Sequence, residues 1–138
     1  MKKDYKLGEI YWVNLTGQGS IQRGWHPAVI MQNNAGNKFS ETIAVVPITS
    51  AKKSKLPTHV IISAGSFGLK KTSTIQCEGQ QLIIKDNIGN YIGKVDKQTM
   101  GKISKCCLIN TPYLMFLNDE EITKVKKENS KIGENKVS

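Results

Sequence analysis

Residues 19–37 read Gly19-Ser20-Ile21-Gln22-Arg23-Gly24-Trp25-His26-Pro27-Ala28-Val29-Ile30-Met31-Gln32-Asn33-Asn34-Ala35-Gly36-Asn37. Pro27 pushes its predecessor out of helical backbone, so His26-Pro27 opens an extended apolar run, Ala28–Met31. The amides and glycine of Gln32–Asn37 then end that run in a turn. Ahead of it, Thr16–Gly24 holds three glycines and few apolar groups, which reads as a loop too polar to pack as a strand. The segment sets the chain's single Arg, a Trp and a His directly before a buried strand.

Outward from this segment the same pattern repeats. Gly8 leads into Glu9–Val13, a strand carrying aromatics. Thr42–Ile48 is another, with Pro47 marking its end or a sheet edge. Thr58–Ser63, Thr74–Gln76, Leu82–Lys85 and Tyr91–Val95 follow as short β-rich runs separated by turn residues. The period then changes. Asp96 caps a helix over Lys97–Leu108 with Met100, Ile103 and Cys107 on one face, and Asn110-Thr111-Pro112 stops it. Tyr113–Leu117 is an apolar run expected to bury. Asn118–Glu121 resembles a helix start, but only Ile122, Val125, Ile132 and Val137 follow as apolar anchors, so a frayed end is expected. The pattern predicts a mainly β (α+β) fold, a small bent barrel of antiparallel strands with a C-terminal helix. Residues 1–117 form its domain and residues 118–138 a polar extension, partly helical or disordered.

The 138 residues suffice for one domain that needs no disulfide or metal to fold. No apolar run approaches the ~20 residues of a membrane span. Asp4, Lys6 and Glu9 interrupt any secretion signal. The cysteines Cys77, Cys106 and Cys107 are odd in number, and the last two are adjacent, a poor geometry for bridging to each other. That usage suits a reducing cytoplasm. The formal net charge of +9 is uneven: residues 118–138 are neutral, and residues 1–117 hold fifteen basic against six acidic groups. Between Glu41 and Glu78 no carboxylate occurs, while Lys52, Lys53, Lys55, Lys70 and Lys71 do. Such an excess is either a solvated surface or the footprint of a polyanion, nucleic acid first.

No metal site is expected, because His26, His59 and the cysteines show no ligand spacing. No phosphate-cradling glycine motif supports a nucleotide cofactor, so no cofactor is expected. Cys77 is a nucleophile only with a base beside it, and otherwise an inert buried thiol. His26 suits acid–base work, or it caps the strand through a backbone hydrogen bond. Thr49 ends a strand as many β-branched residues do. Trp25 either packs or stacks on a base.

Four motifs in order carry a family resemblance: Gly8–Leu15, Gly19–Asn33, Pro47-Ile48-Thr49-Ser50 and Lys55–Val60. With them the chain resembles the MazF/PemK endoribonuclease toxins over about residues 7–110. The resemblance implies a homodimeric SH3-like barrel that cuts single-stranded RNA without metal. In that reaction a ribose 2′-OH attacks the adjacent phosphorus, expels the 5′-oxygen and leaves a 2′,3′-cyclic phosphate. It also implies an acidic antitoxin partner, and DNA binding in complex with it. The family's catalytic Thr falls on Thr49, and the position of its catalytic Arg is His26 here. The expected catalytic set is therefore His26 as acid or base, Thr49, and Arg23 as fixed positive charge. Ser20, Gln22, Trp25, Lys52, Lys53 and Glu78 are expected to bind RNA. The family's L-E-Q-x-R-T segment is altered, with Gly79 and Gln81 where Gln and Arg are usual. Two other functions compete: a non-catalytic RNA- or DNA-binding barrel, and a protein-directed poison like the CcdB toxins, which act through a hydrophobic C-terminal end, whereas Glu134–Ser138 here is polar.

Overall fold

The computed structural model describes residues 4–17, 22–51 and 55–132. Within them the strands are β1 (Glu9–Thr16), β2 (Arg23–Ile30), β3 (Thr42–Thr49), β4 (His59–Ile62), β5 (Ser73–Gln76), β6 (Gln81–Ile84) and β7 (Ile88–Lys94). The helices are α1 (Asn34–Phe39), α2 (Lys97–Asn110) and α3 (Asp119–Lys131). The sheet is antiparallel, in the order β4-β5-β3-β2-β1-β7.

β3 organises it. One edge of β3 pairs with β2, from Ile30↔Val45 to Ala28↔Pro47. The other edge is shared: β6 pairs along Thr42–Val45, and β5 pairs at Ile48 and Thr49. A 3₁₀ turn, Cys77–Gly79, carries the chain from β5 to β6. Pro47 falls between those two paired stretches, so the strand runs through it to Thr49 rather than ending there. β4 and β7 remain as free ends, so the sheet does not close and "barrel" overstates it.

Alternation along the central strands buries both faces. Ile10, Val29, Val46 and Ile48 join Val60, Ile75, Cys77, Val95 and Ile103 in one cluster, which α2 covers. Tyr11, Val13, Leu15, Ala28, Ile30, Ile43 and Val45 form the other with Tyr5, Ile83 and Ile88. α2 is docked by Ile103 and started by Asp96, whose carboxylate accepts the Thr99 N–H at 2.8 Å.

Three local expectations are corrected. The polar stretch after Leu15 is strand at both ends, with Thr16 paired to Arg23 and Leu15 to Gly24. Hairpin hydrogen bonds are made by the backbone, so outward polar side chains do not prevent them. The turn expected over Gln32–Asn37 instead begins α1, because the Asn33 side chain caps the Gly36 N–H at 2.8 Å. Tyr113–Phe116 is a 3₁₀ turn that stays exposed, with Met115 and Phe116 each 82% accessible. It follows the end of α2 at Asn110, past the helix's buried anchors Thr99 and Ile103. The helix start expected at Asn118–Glu121 is there: α3 runs from Asp119 to Lys131, held locally by a reciprocal capping box between Asn118 and Glu121 and an acidic first turn. Val137 lies outside the described residues.

Candidate active-site cleft

Where β3 parts from β2 to pair with β5, a cleft of about 760 Å³ opens. The β2–β3 pairing ends at Ala28↔Pro47; His26 on β2 and Thr49 on β3 lie just past that end, and both line the cleft. β2 therefore brings the histidine and β3 the threonine, from separate motifs in the sequence.

The hydrogen bonds fix what each group can do. His26 Nε2 lies 2.9 Å from the Arg23 carbonyl. A carbonyl only accepts, so Nε2 carries the proton, and Nδ1 of the neutral ring keeps its lone pair. The strand-capping reading of His26 is thus met by one ring nitrogen and leaves the other for chemistry. Thr49 is 5% exposed, and its Oγ1 accepts the Ala51 N–H at 3.1 Å. The hydroxyl proton of Thr49 is left to donate.

Around this pair the lining is aromatic and cationic. Trp12 and Trp25 from β1 and β2, Tyr91 from β7, and Lys70 and Lys71 all border the cleft, and no Asp or Glu is among its described lining residues. Trp25 is 55% exposed, yet its ring rests over β7, where a Cβ on Gly89 would come within 3.2 Å of Cζ3. The indole is therefore held at one edge and open on a face. The two lysines are placed by the loop before them, which carries Phe67 and Gly68 at positive φ. This loop presses on β7 so closely that a Cβ on Gly93 would overlap the Phe67 carbonyl oxygen. Gly93→Ala is expected to cost about 1–3 kcal/mol, as overpacking against rigid backbone does, which a urea melt will show.

The other expected site residues fall elsewhere. Ser20, Lys52 and Lys53 lie outside the described residues. Arg23 is exposed at the start of β2; its carbonyl orients His26, but its side chain does not line the cleft. Gln22 is half-buried, and its carbonyl accepts the Gln81 amide at 3.0 Å. Gln81 also accepts the Thr16 N–H at 3.0 Å, so it ties together both ends of the β1–β2 loop.

Glu78 is away from the cleft. Its carboxylate meets His59 Nε2 at 2.8 Å and accepts the Thr58 hydroxyl at 3.0 Å. Burial opposes its ionisation, but the bonds from His59, its own N–H and Thr58 outweigh that and hold its pKa below the ordinary carboxylate value. A depressed pKa means that Glu78 stabilises the fold above the unfolded carboxylate range, near pH ~4, and that this is lost as pH falls through the folded value. Glu78→Ala strips a buried histidine of its partner. It is expected to cost about 1–3 kcal/mol at pH 7 and much less in acid, by urea melts at both pH values.

Trp12, Tyr91, Lys70 and Lys71 were absent from the site expected on sequence. Only the lysines gave a signal, as part of the carboxylate-free stretch. A second cavity, of about 540 Å³, lies between Met31, Met100 and Asn129. Its one hydroxyl group, Ser104, donates to the Met100 carbonyl, so it holds no comparable chemistry. Among the described residues no cluster of His, Cys, Asp and Glu could hold a metal, and no helix is long and apolar enough to cross a membrane.

Comparison with known proteins spans the segments that form this cleft. Residues 6–109 match the family described as PemK-like, MazF-like toxin of type II toxin-antitoxin system. The chain is 35% identical over 113 residues to Endoribonuclease EndoA of Bacillus subtilis, covering 80% of this chain and 97% of that protein. A solved mycobacterial endoribonuclease in complex with its cognate antitoxin superposes with a TM-score of 0.64 at 27% identity, over 77% of this chain and 93% of the other. MazF of Deinococcus radiodurans shares the fold, with a TM-score of 0.69 at 18% identity over 84% of this chain and all of that one.

Proposed function

The chain belongs to the PemK-like, MazF-like family of type II toxins, and from that premise we propose that it is an endoribonuclease cutting single-stranded RNA in the His26–Thr49 cleft. The observation that carries this reading is that His26 and Thr49 line one lysine-bordered cleft with no Asp or Glu among its described lining residues.

The assignment of roles follows from the hydrogen bonds. His26 Nδ1 takes the proton of the ribose 2′-OH as that oxygen attacks phosphorus. The imidazolium, a stronger acid than a lysine ammonium, then returns a proton to the departing 5′-oxygen. Thr49 donates its hydroxyl to a non-bridging phosphate oxygen, where charge builds in the phosphorane. Lys70 and Lys71 supply the fixed positive charge inside the cleft, and Arg23 adds to it from the neighbouring strand end. Trp25, Trp12 and Tyr91 offer faces on which bases splayed from a single strand stack, and duplex RNA keeps its bases from them. The products are a 2′,3′-cyclic phosphate and a 5′-hydroxyl, and the mechanism calls on no metal.

The protein acts as a cytoplasmic homodimer held inactive by its antitoxin. An acidic segment of the antitoxin fits the lysine-bordered cleft by charge. Ser20, Lys52 and Lys53 belong to the RNA-binding set on the family resemblance alone.

The test is direct. Pure protein incubated with long RNA in EDTA is expected to produce discrete cuts, with 5′-hydroxyl ends that a kinase labels without prior phosphatase treatment. RNA left uncut under those conditions, but bound, makes the protein a non-catalytic binding module of the same fold.

A further inference from the structure

His26 and Thr49 lie just past the last β2–β3 pair, Ala28↔Pro47, so that ladder does not set their separation. The start of β2 is paired to β1 at Thr16↔Arg23, and a side chain from a third strand ties it towards β3. Gln81 opens β6, and its backbone pairs with Val45, a buried residue of the same β3 that carries Thr49. Its Oε1 accepts the Thr16 N–H at 3.0 Å, and its Nε2 donates to the Gln22 carbonyl at 3.0 Å. The two partners fix which way the amide points, because a flipped amide would set N–H against N–H and oxygen against oxygen.

The Gln22 carbonyl leads straight to His26. Gln22 and Arg23 share one planar peptide, so the two backbone dihedrals of Arg23 alone separate the clamped carbonyl from the next one. That next carbonyl, of Arg23, is the one His26 Nε2 meets at 2.9 Å. The contacts therefore run from Val45 through Gln81, Gln22 and Arg23 to His26, and they begin on the strand that holds Thr49.

We propose, on the cleavage reading above, that Gln81 is a positioning residue: its amide holds the Arg23 carbonyl that keeps the proton on His26 Nε2. Gln81 is not among the residues that line the cleft, so its loss acts on the rate of cleavage rather than on RNA binding. Two ordinary hydrogen bonds matter here because a reacting group misplaced by about 1 Å can lose ~10²-fold in rate.

The test compares the full wild-type chain with two variants. Gln81→Met keeps the length of the side chain and removes both hydrogen bonds. Gln81→Glu keeps an acceptor for Thr16 but sets an oxygen against the Gln22 carbonyl. In ¹⁵N spectra in mildly alkaline buffer, wild-type His26 is expected to show a protonated Nε2 and a bare Nδ1, and both variants a mixture of tautomers. Exchange of the Thr16 amide proton should quicken roughly tenfold in Gln81→Met and stay near wild type in Gln81→Glu. Single-turnover cleavage at saturating RNA should fall about 10–100-fold in both, while binding of a short 2′-O-methyl RNA, which lacks the attacking hydroxyl, stays near wild type. An unaltered His26 tautomer in both variants, or a loss that appears in binding instead of rate, overturns the proposal. A wild type that cuts RNA, with variants that cut it equally well, overturns this proposal alone. A wild type that leaves RNA uncut overturns the cleavage reading itself.

Discussion

Alanine at His26 is expected to slow single-turnover RNA cleavage by about 10²–10⁴-fold, the usual loss for a positioned general base. The Arg23 carbonyl holds the Nε2 proton at 2.9 Å, so Nδ1 is the basic atom. Added imidazole should restore part of the rate that the alanine variant loses. Binding to a short RNA should change little, because a neutral ring contributes little to phosphate attraction. His26→Arg is the sharper variant. It installs the residue the family resemblance implies at this position, a fixed planar cation. It should cleave RNA where the alanine variant does not. Wild-type rate in His26→Ala would place the base elsewhere.

Removing the Thr49 hydroxyl is expected to cost about 10²–10³-fold at every pH, as loss of one donor to a charge-rich transition state does. Thr49 is almost fully buried, so alanine would mix a packing defect with the chemistry. Thr49→Val keeps the branched shape and removes only the hydroxyl. It should fold, bind RNA and cut slowly. Thr49→Ser keeps the donor and should retain most of the rate. Equal losses in Val and Ser variants would point to packing instead, and would remove Thr49 from the chemistry.

The polar sequence around His26 also shows where reading residues stops. Alternation placed the strands well, since Tyr11, Val13 and Leu15 can bury on one face only if the chain is extended. Asp96 announced α2 because a capping carboxylate acts within one turn. Asn118 and Glu121 announced α3 for the same reason, although the scarcity of apolar anchors argued against its persisting. Local signals of this kind act over three or four residues and are legible without a fold. The order of four motifs likewise lay in the sequence, and with it the family.

What the sequence could not supply was which distant residues meet. Glu78 follows a β-run and reads as a groove carboxylate, yet the pairing of His59 with Gln76 turns it onto His59, away from the cleft. Trp12, Tyr91 and Lys70 are unremarkable in their own segments. They become neighbours only because β1 pairs with both β2 and β7, and because the Phe67 loop abuts Gly93. Tyr113–Phe116 reads as core by composition and is exposed because the chain has already left the sheet. By itself the sequence determined the strands, the helix caps, the charge excess and the family, all carried by local periodicity or by motif order. The tertiary structure alone decided that His26 and Thr49 line one cleft, and that Glu78 turns onto His59, because contacts between remote segments depend on sheet register, which no short-range pattern encodes.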